Sequence, residues 1–333
     1  MVKIIFKDVG QGDSIIIEWV EEEINCFGFI DCNLYESRNP ILDYVIEKNI
    51  KLIDFLILSH PHLDHFSGFH ELLTYCRENN IIVKKFLHTA IVSKEYFLTS
   101  VRSVVAENEL MKLFDLVRIL RDETGMGIHS LDDNPDIVKK LGQNFKLEVL
   151  APSSVEIDKY IKGINFPFDE EESTCHPKAN WLSTIIKIYN DKCAVLLTSD
   201  SESSTLSTIC TKKPKRVDHK FIIGQAPHHG SGANLNQVFW RLRKRFKNTP
   251  IVISVGKNGY KHPSKKVIDF FEKTGNYEIY STNHVGSLIS KPKSSPAMDA
   301  LDIISKVTTV SPTKYKYSGD KVFILTEDIL KIV

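Results

Sequence analysis

Ser59-His60-Pro61-His62-Leu63-Asp64-His65 stands directly behind the apolar run Ile53-Asp54-Phe55-Leu56-Ile57-Leu58, and this stretch decides how the chain is read. Phe55 to Leu58 suits a short buried strand, so the histidines begin where that strand ends. Four metal-ligand side chains fall within six residues of a chain that has twelve histidines in all. Alternating His60 and His62 can face one ion, while Asp64 and His65, further round the turn, can face a second. Neutral imidazole and carboxylate both suit zinc or manganese. The stretch reads as a two-metal hydrolytic site, and its bland competitor is a solvated histidine-rich loop.

Composition allows an ordinary soluble enzyme: 333 residues, 42% of them hydrophobic, fit one large domain or two. A net charge of +1 carries no global nucleic-acid signature, so any polyanion binding rests on local patches. Cys26, Cys32, Cys76, Cys175, Cys193 and Cys210 form no C-x-x-C pair, and Met1 to Phe6 runs straight into strand-like sequence without a signal peptide. Reduced thiols and a cytoplasmic location are expected. No apolar run approaches the ~18 residues of a membrane span, so no membrane partner is expected.

Lys3 to Asp8, Ser14 to Glu18 and Cys26 to Ile30 read as short strands, and Pro40 to Lys48 as a helix with Asn39 as its N-cap. Ser67 to Glu78 reads as a second helix, with Phe69, Leu72, Leu73 and Cys76 on one face. Residues from about 93 to 178 are charged and carry no ligand cluster, which predicts a helical insertion or cap that includes the acidic run Asp169 to Glu172. Strands resume over Leu147 to Leu150, Ser183 to Tyr189 and Cys193 to Leu197, the last followed by Thr198-Ser199-Asp200. Phe221 to Ile223 leads into Ala226-Pro227-His228-His229-Gly230-Ser231, which brings further histidines to the same edge. Ser231 reads as the cap of a helix that follows. This alternation predicts a layered α/β domain over residues 1–290 with ligands at strand ends, then a C-terminal extension over 291–333.

H-P-H-L-D-H, then L-L-T-S-D, then H-H-G-S resembles the metallo-β-lactamase superfamily of hydrolases, and more closely its ComEC-like branch of competence proteins. That branch opens with D-V-G-Q-G-D-S, here Asp8 to Ser14, and continues to a strand ending in Asp, here Asp31. Its S-V-G-x-N-x-Y-x-H-P segment matches Ser254 to Pro263. The resemblance implies a four-layer αββα sandwich with two divalent ions, zinc or manganese with magnesium admitted, along one edge. By the same resemblance His60 and His62 bind the first ion, Asp64 and His65 the second, and Asp200 bridges them. A histidine of the pair completes the second site, with His228 preferred over His229 because it follows the strand and Pro227. The histidine not used, and Asp31, are expected as supporting partners of the ligands. Many relatives supply a third histidine to the first metal, and Asn180 stands in its place here; His176 and His88 are the alternative donors.

Two divalent ions together lower the pKa of a shared water and neutralise charge on a phosphodiester, so a metal-bridged hydroxide is the implied nucleophile. Asp64 is the candidate proton acceptor, and His262, with Lys261 or Lys257 beside it, the candidate phosphate contact or leaving-group acid. Trp240, Arg241, Arg243, Lys244 and Arg245 form a basic and aromatic cluster that could hold nucleic acid, with a solvated helix face as its competitor. The resemblance thus implies a metal-dependent phosphodiesterase and, most concretely, a DNA nuclease in defence or repair. A small-molecule hydrolase (cyclic nucleotide, phosphocholine ester, lactone or lactam) and a non-catalytic regulatory module are the alternatives. A protein partner would meet the insertion or the C-terminal extension.

Overall fold

The computed structural model describes residues 1–89, 101, 103–134, 139–163, 178–289, 316–327 and 329–333. The first half of the chain runs β1 (Val2–Phe6), β2 (Ile15–Glu21), β3 (Ile24–Ile30), α1 (Pro40–Glu47), β4 (Leu52–Ile53), β5 (Phe55–Ile57), α2 (Leu63–Phe66), α3 (Phe69–Glu78), β6 (Ile82–Val83), β7 (Lys85–His88), α4 (Val104–Thr124) and β8 (Gly127–Ser130). The second half runs β9 (Lys139–Leu141), β10 (Phe145–Ala151), α5 (Ser154–Lys162), β11 (Ile185–Tyr189), β12 (Ala194–Leu197), α6 (Ser203–Lys212), β13 (Phe221–Gln225), α7 (Gln237–Leu242), β14 (Thr249–Ile253), α8 (Lys265–Thr274), β15 (Tyr277–Ser281), β16 (Lys321–Thr326) and β17 (Ile329–Ile332). Among these no helix is long and apolar enough to cross a membrane.

Two mixed sheets stack face to face, ordered β17-β16-β1-β2-β3-β5-β7-β8 and β15-β14-β13-β12-β11-β10-β9. The period-2 alternation of strand side chains sorts the core into layers. Ile4, Phe6, Ile15, Ile17, Trp19 and Phe55 meet Leu147, Val149, Ile186, Ile188, Val195 and Val252 between the sheets. Ile5, Ile16 and Phe29 face outward under α1, α3 and α4. Leu196, Ile251 and Ile253 face outward on the other side under α6, α7 and α8. The arrangement is the four-layer αββα sandwich anticipated above. Asn39 caps α1 as expected, accepting a hydrogen bond from the Leu42 amide at 3.1 Å.

Two boundaries differ from the sequence reading. The span 93–178 is no separate cap in its described residues, because β8 is an edge strand of the first sheet and β9 and β10 belong to the second. Only α4 is a long helix there, and its apolar face, with Leu110, Leu113 and Val117, packs on the α3 side of the core. The acidic run Asp169 to Glu172 lies outside the described residues. The described part of the C-terminal extension joins the first sheet: β16 pairs antiparallel with β1, Val2 opposite Leu325 and Phe6 opposite Lys321. Both misreadings have one cause, since strand partners far apart in sequence leave no local signal.

Parallel pairing brings the strand ends together. β3, β5 and β7 run parallel in one sheet, and β12 to β15 in the other. The loops after β3, β5, β12, β13 and β14 carry Asp31, His60 to His65, Asp200, His228-His229 and Ser254 respectively. This is the edge at which open α/β sheets place ligands.

His88, at the end of β7, is packed against Phe86 and Phe114, and burial pushes its imidazole down to about 4. The unfolded chain therefore binds a proton that the folded chain refuses between pH 6.5 and about 4, so stability is full above this window and falls as pH drops through it. Urea denaturation at pH 7 and pH 4.5 is expected to show a smaller loss for His88→Leu than for the wild type, by up to about 3 kcal/mol.

Candidate metal centre

Asp31 is the first fixed point. It leaves β3 with a left-handed backbone, φ 59°, which turns its carboxylate back under the histidine loop. One oxygen accepts the Ser59 amide at 2.8 Å, and the other accepts the Ser59 hydroxyl at 2.6 Å and faces His65 Nδ1 at 2.7 Å. With Nδ1 donating to Asp31, the His65 Nε2 lone pair points the other way. The single turn of α2 buries His65 and Phe66 and leaves Leu63 at the surface.

The Asp8 to Ser14 loop presses on this turn from the side. The Asp13 amide donates to the Asp64 carbonyl at 3.2 Å. A Cβ on Gly12, whose φ is +128°, would stand 2.3 Å from the same carbonyl, so the approach requires glycine. Gln225 Nε2 donates to both Asp13 oxygens at 3.0 Å, and Gln225 Oε1 accepts the amides of Thr198 at 2.9 Å and Ser199 at 3.0 Å. The two sheets are thereby tied immediately beneath Asp200.

Asp200 divides its two oxygens between two sets of histidines. Oδ2 lies 3.6 Å from His60 Nε2, 4.0 Å from His62 Nδ1 and 3.5 Å from His228 Nε2. Oδ1 lies 3.6 Å from His65 Nε2 and 3.4 Å from His229 Nε2, while His229 Nε2 is also 3.4 Å from Asp64 Oδ2. Most of these separations are too long for a hydrogen bond. They match the spacing of two donors on one tetrahedral ion with bonds near 2.1 Å, about 3.4 Å. Among the described residues three groups of donors could hold a cation: His60, His62 and Asp200; Asp64, His65 and His229; and Asp13, His65 and Asp200.

The side chains themselves ask for positive charge. His65 Nε2, His229 Nε2 and Asp200 Oδ1 are buried without a hydrogen-bond partner and point into the same space. Burial raises the cost of charge on Asp200, but His229, His65 and His228 outweigh it and hold the carboxyl well below the usual range. Burial opposes charge on His65 too, yet Asp31 and Asp200 hold that imidazole well above its ordinary value, and Asp200 and Asp64 bring His229 up to about 9. Protons thus balance the carboxylates where cations would. His60 is pushed well below its ordinary value by burial and the neighbouring His65, which leaves it neutral, as a ligand must be.

The expected His60, His62, Asp64, His65 and Asp200 are brought together. The expected preference within the histidine pair is reversed: His229, not His228, joins Asp64 and His65, and its Nδ1 is fixed on the Ser254 carbonyl at 2.8 Å. Both residues adopt left-handed backbone angles, φ 49° for His228 and 52° for His229, so consecutive imidazoles reach the same carboxylate from different sides. Sequence order alone cannot show such a turn. Asn180 does not enter a donor group; its amide meets His228 Nδ1 at 2.9 Å while its Oδ1 is buried without a partner. Turned over, the same amide places Oδ1 on Nδ1–H and leaves His228 Nε2 free toward Asp200. His88 enters none of these groups, and His176 lies outside the described residues. Ser231 follows the short turn over His228–Gly230 and caps nothing ahead of it, since α7 is capped by Asn236. Ser59 and Gln225 carried no role in the sequence reading, because their chemistry is to hold other side chains.

The basic cluster does not serve this edge. Trp240 is 1% exposed and packed against Phe239, Phe271 and Tyr277, so it cannot stack a base. Arg243 donates to the Phe239 and Val217 carbonyls, Arg245 to the Arg243 and Gly275 carbonyls, Lys244 pairs with Asp218, and Arg241 lies over Phe270. Arg245 also bridges Phe221, the first residue of β13, whereas His228 follows the last, so a strand of roughly 17 Å separates them. His262 stands beside His228, ring centroids 5.8 Å apart, and burial together with His228 and His229 pushes it down to about 4. It is thereby held neutral at pH 7.

Residues 30–139 match a family model described as the metallo-beta-lactamase superfamily, a segment that includes Asp31 and the whole His60 to His65 turn. The fold is that of the metallo-β-lactamase superfamily. Solved structures similar to the chain include the metallo-beta-lactamase fold protein YhfI from Bacillus subtilis, at 11% identity and TM-score 0.44, covering 84% of this chain and 96% of that one. Zinc-bound PqqB from Methylobacterium extorquens is similar at 8% identity and TM-score 0.47, covering 84% of this chain and 98% of that one. No curated protein matches the sequence.

Asp31→Asn keeps the shape of the carboxylate but removes the acceptor that fixes His65. Metal content of the purified variant, and competition with a chromophoric chelator, are expected to show affinity about 10–100-fold lower with the circular dichroism spectrum unchanged. Unaltered metal affinity would remove Asp31 from the centre.

Proposed function

We propose that this chain is a metal-dependent hydrolase that cleaves phosphodiester bonds in nucleic acid, most concretely DNA. The observation that supports it above all is the division of the buried Asp200 carboxylate between two sets of imidazoles. In this reading His60 and His62, with His228 beside them, would hold one divalent ion against Asp200, and Asp64, His65 and His229 would hold the other. Two such ions lower the pKa of a water and neutralise the charge that gathers on the phosphoryl oxygens.

The remaining work belongs to the protein. Asp64 is held ionised, because the neighbouring His229 and His65 outweigh its burial, so its carboxylate can take a ligand's place and orient the attacking water. The side chains of His62 and Asp64 are 38% and 35% exposed, which lets the scissile bond of a polymer reach them. His262, neutral, serves as a hydrogen-bonding contact to the phosphate and not as the acid. Asn180 acts through His228, fixing which nitrogen faces Asp200.

With Mn²⁺, Zn²⁺ or Mg²⁺ supplied, the purified chain is expected to cleave single- or double-stranded DNA, to lose activity in EDTA, and to lose on the order of 10²–10³-fold or more in kcat on Asp200→Asn. RNA and bis(p-nitrophenyl) phosphate are assayed beside it. Turnover of small esters with none on any polynucleotide would sink the nuclease reading and leave a small-molecule hydrolase.

A further inference from the structure

We propose that Tyr260, stacked on His262 at the rim of the candidate metal centre and flanked by Lys257 and Lys261, is a platform for an unpaired nucleobase within a nucleotide or two of the scissile phosphate. The proposal rests on the nuclease reading and narrows its substrate to single-stranded nucleic acid or frayed ends.

Tyr260 is 78% exposed, the highest value of any large apolar side chain among the described residues. Its backbone is nevertheless firmly built. Asn258 Oδ1 accepts the amides of Tyr260 at 3.1 Å and His262 at 2.9 Å, and Asn258 Nδ2 donates to the carbonyls of Gly256 at 2.8 Å and His262 at 3.0 Å. The loop is clamped from behind as well: a Cβ on Gly286 would stand 2.3 Å from the His262 carbonyl, and one on Gly230 would stand 2.6 Å from Pro263. Gly230 closes the turn that carries His228 and His229, so loop and centre move as one piece. An aromatic ring in water on so rigid a support is preorganised for binding.

The rings form a path inward. Tyr260 lies nearly parallel to His262, centroids 5.8 Å apart and planes 22° apart, which covers one face and leaves the other open. His262 in turn meets His228 edge-on at 5.8 Å, and His228 Nε2 is 3.5 Å from Asp200. A base on the open face of Tyr260 would sit at the outer end of this path, one stacking distance beyond two ring-to-ring steps of 5.8 Å from His228, within the reach of a nucleotide or two from the donors. Lys257 and Lys261 are exposed on the same loop with no ion pair among the described residues, unlike the tied cations near Trp240. They supply the backbone attraction that stacking lacks. A base already stacked in a duplex gains little from such a platform, whereas an unpaired base gains about 1–3 kcal/mol, a factor of roughly 5 to 150.

Steady-state cleavage with Mn²⁺ is measured on an oligodeoxythymidylate and on an oligomer of equal length carrying tetrahydrofuran abasic sites. The wild type is expected to show the lower KM on the oligomer with bases, Tyr260→Ala to raise that KM about tenfold and close the gap, and Tyr260→Trp to restore it. If Tyr260→Ala cleaves the oligothymidylate with wild-type KM, the platform is overturned and the nuclease reading stands. If the wild type cleaves duplex DNA and neither oligomer, the platform is overturned and the nuclease reading stands; if it cleaves no polynucleotide, both are overturned together.

Discussion

Asp200 is a fully buried carboxylate at the end of a strand that is itself buried on both faces, and holding it there costs several kcal/mol unless positive charge stands beside it. The rest of the edge is arranged around that debt. Five imidazoles converge on its two oxygens from two separate loops, and two of them, His228 and His229, take strained backbone angles to do so. Without cations His65 and His229 hold protons in their place, and those protons would leave on metal binding. Metal uptake and the charge state of these two residues would therefore be a single equilibrium.

The carboxylate also has to stay put, which is a problem of the scaffold. Asp31 fixes Ser59 and His65 from the first sheet, and the Asp13–Gln225 pair locks the first sheet to the amides that precede Asp200 in the second. Donors from two halves of the chain thus keep a common geometry because the sheets are bolted together at the site and not merely packed. Gly12 admits this bolt, since any side chain there would displace the Asp64 carbonyl.

Much of this was legible in the sequence, and the limits have a physical reason. The His60 to His65 turn, Asp200 and the strands before them are local patterns, with apolar runs that stop where ligand residues begin. Asp31 was legible as a support. What depended on backbone torsion was not: the left-handed turn at His228 and His229 makes the second histidine, not the first, the partner of Asp64. What depended on long-range pairing was not legible either. Trp240 beside four basic residues looked like a surface patch, yet the ring is core and the guanidinium groups of Arg243 and Arg245 cap carbonyls at the far end of β13. Composition tells which groups are present and not which of them are already occupied.

The pairing of β1 with β16 bears on how the molecule is made. Residues 2–6 are synthesised well before residues 321–326, and until those arrive to cover it β1 presents an open strand edge. β1 leads straight into the loop that presses on Asp64, so the support of the centre is finished only when β16 docks. Such a nascent chain carries an unpaired, Ile- and Phe-rich edge through the interval, and its yield in a cell depends on how well that edge is kept from other strands.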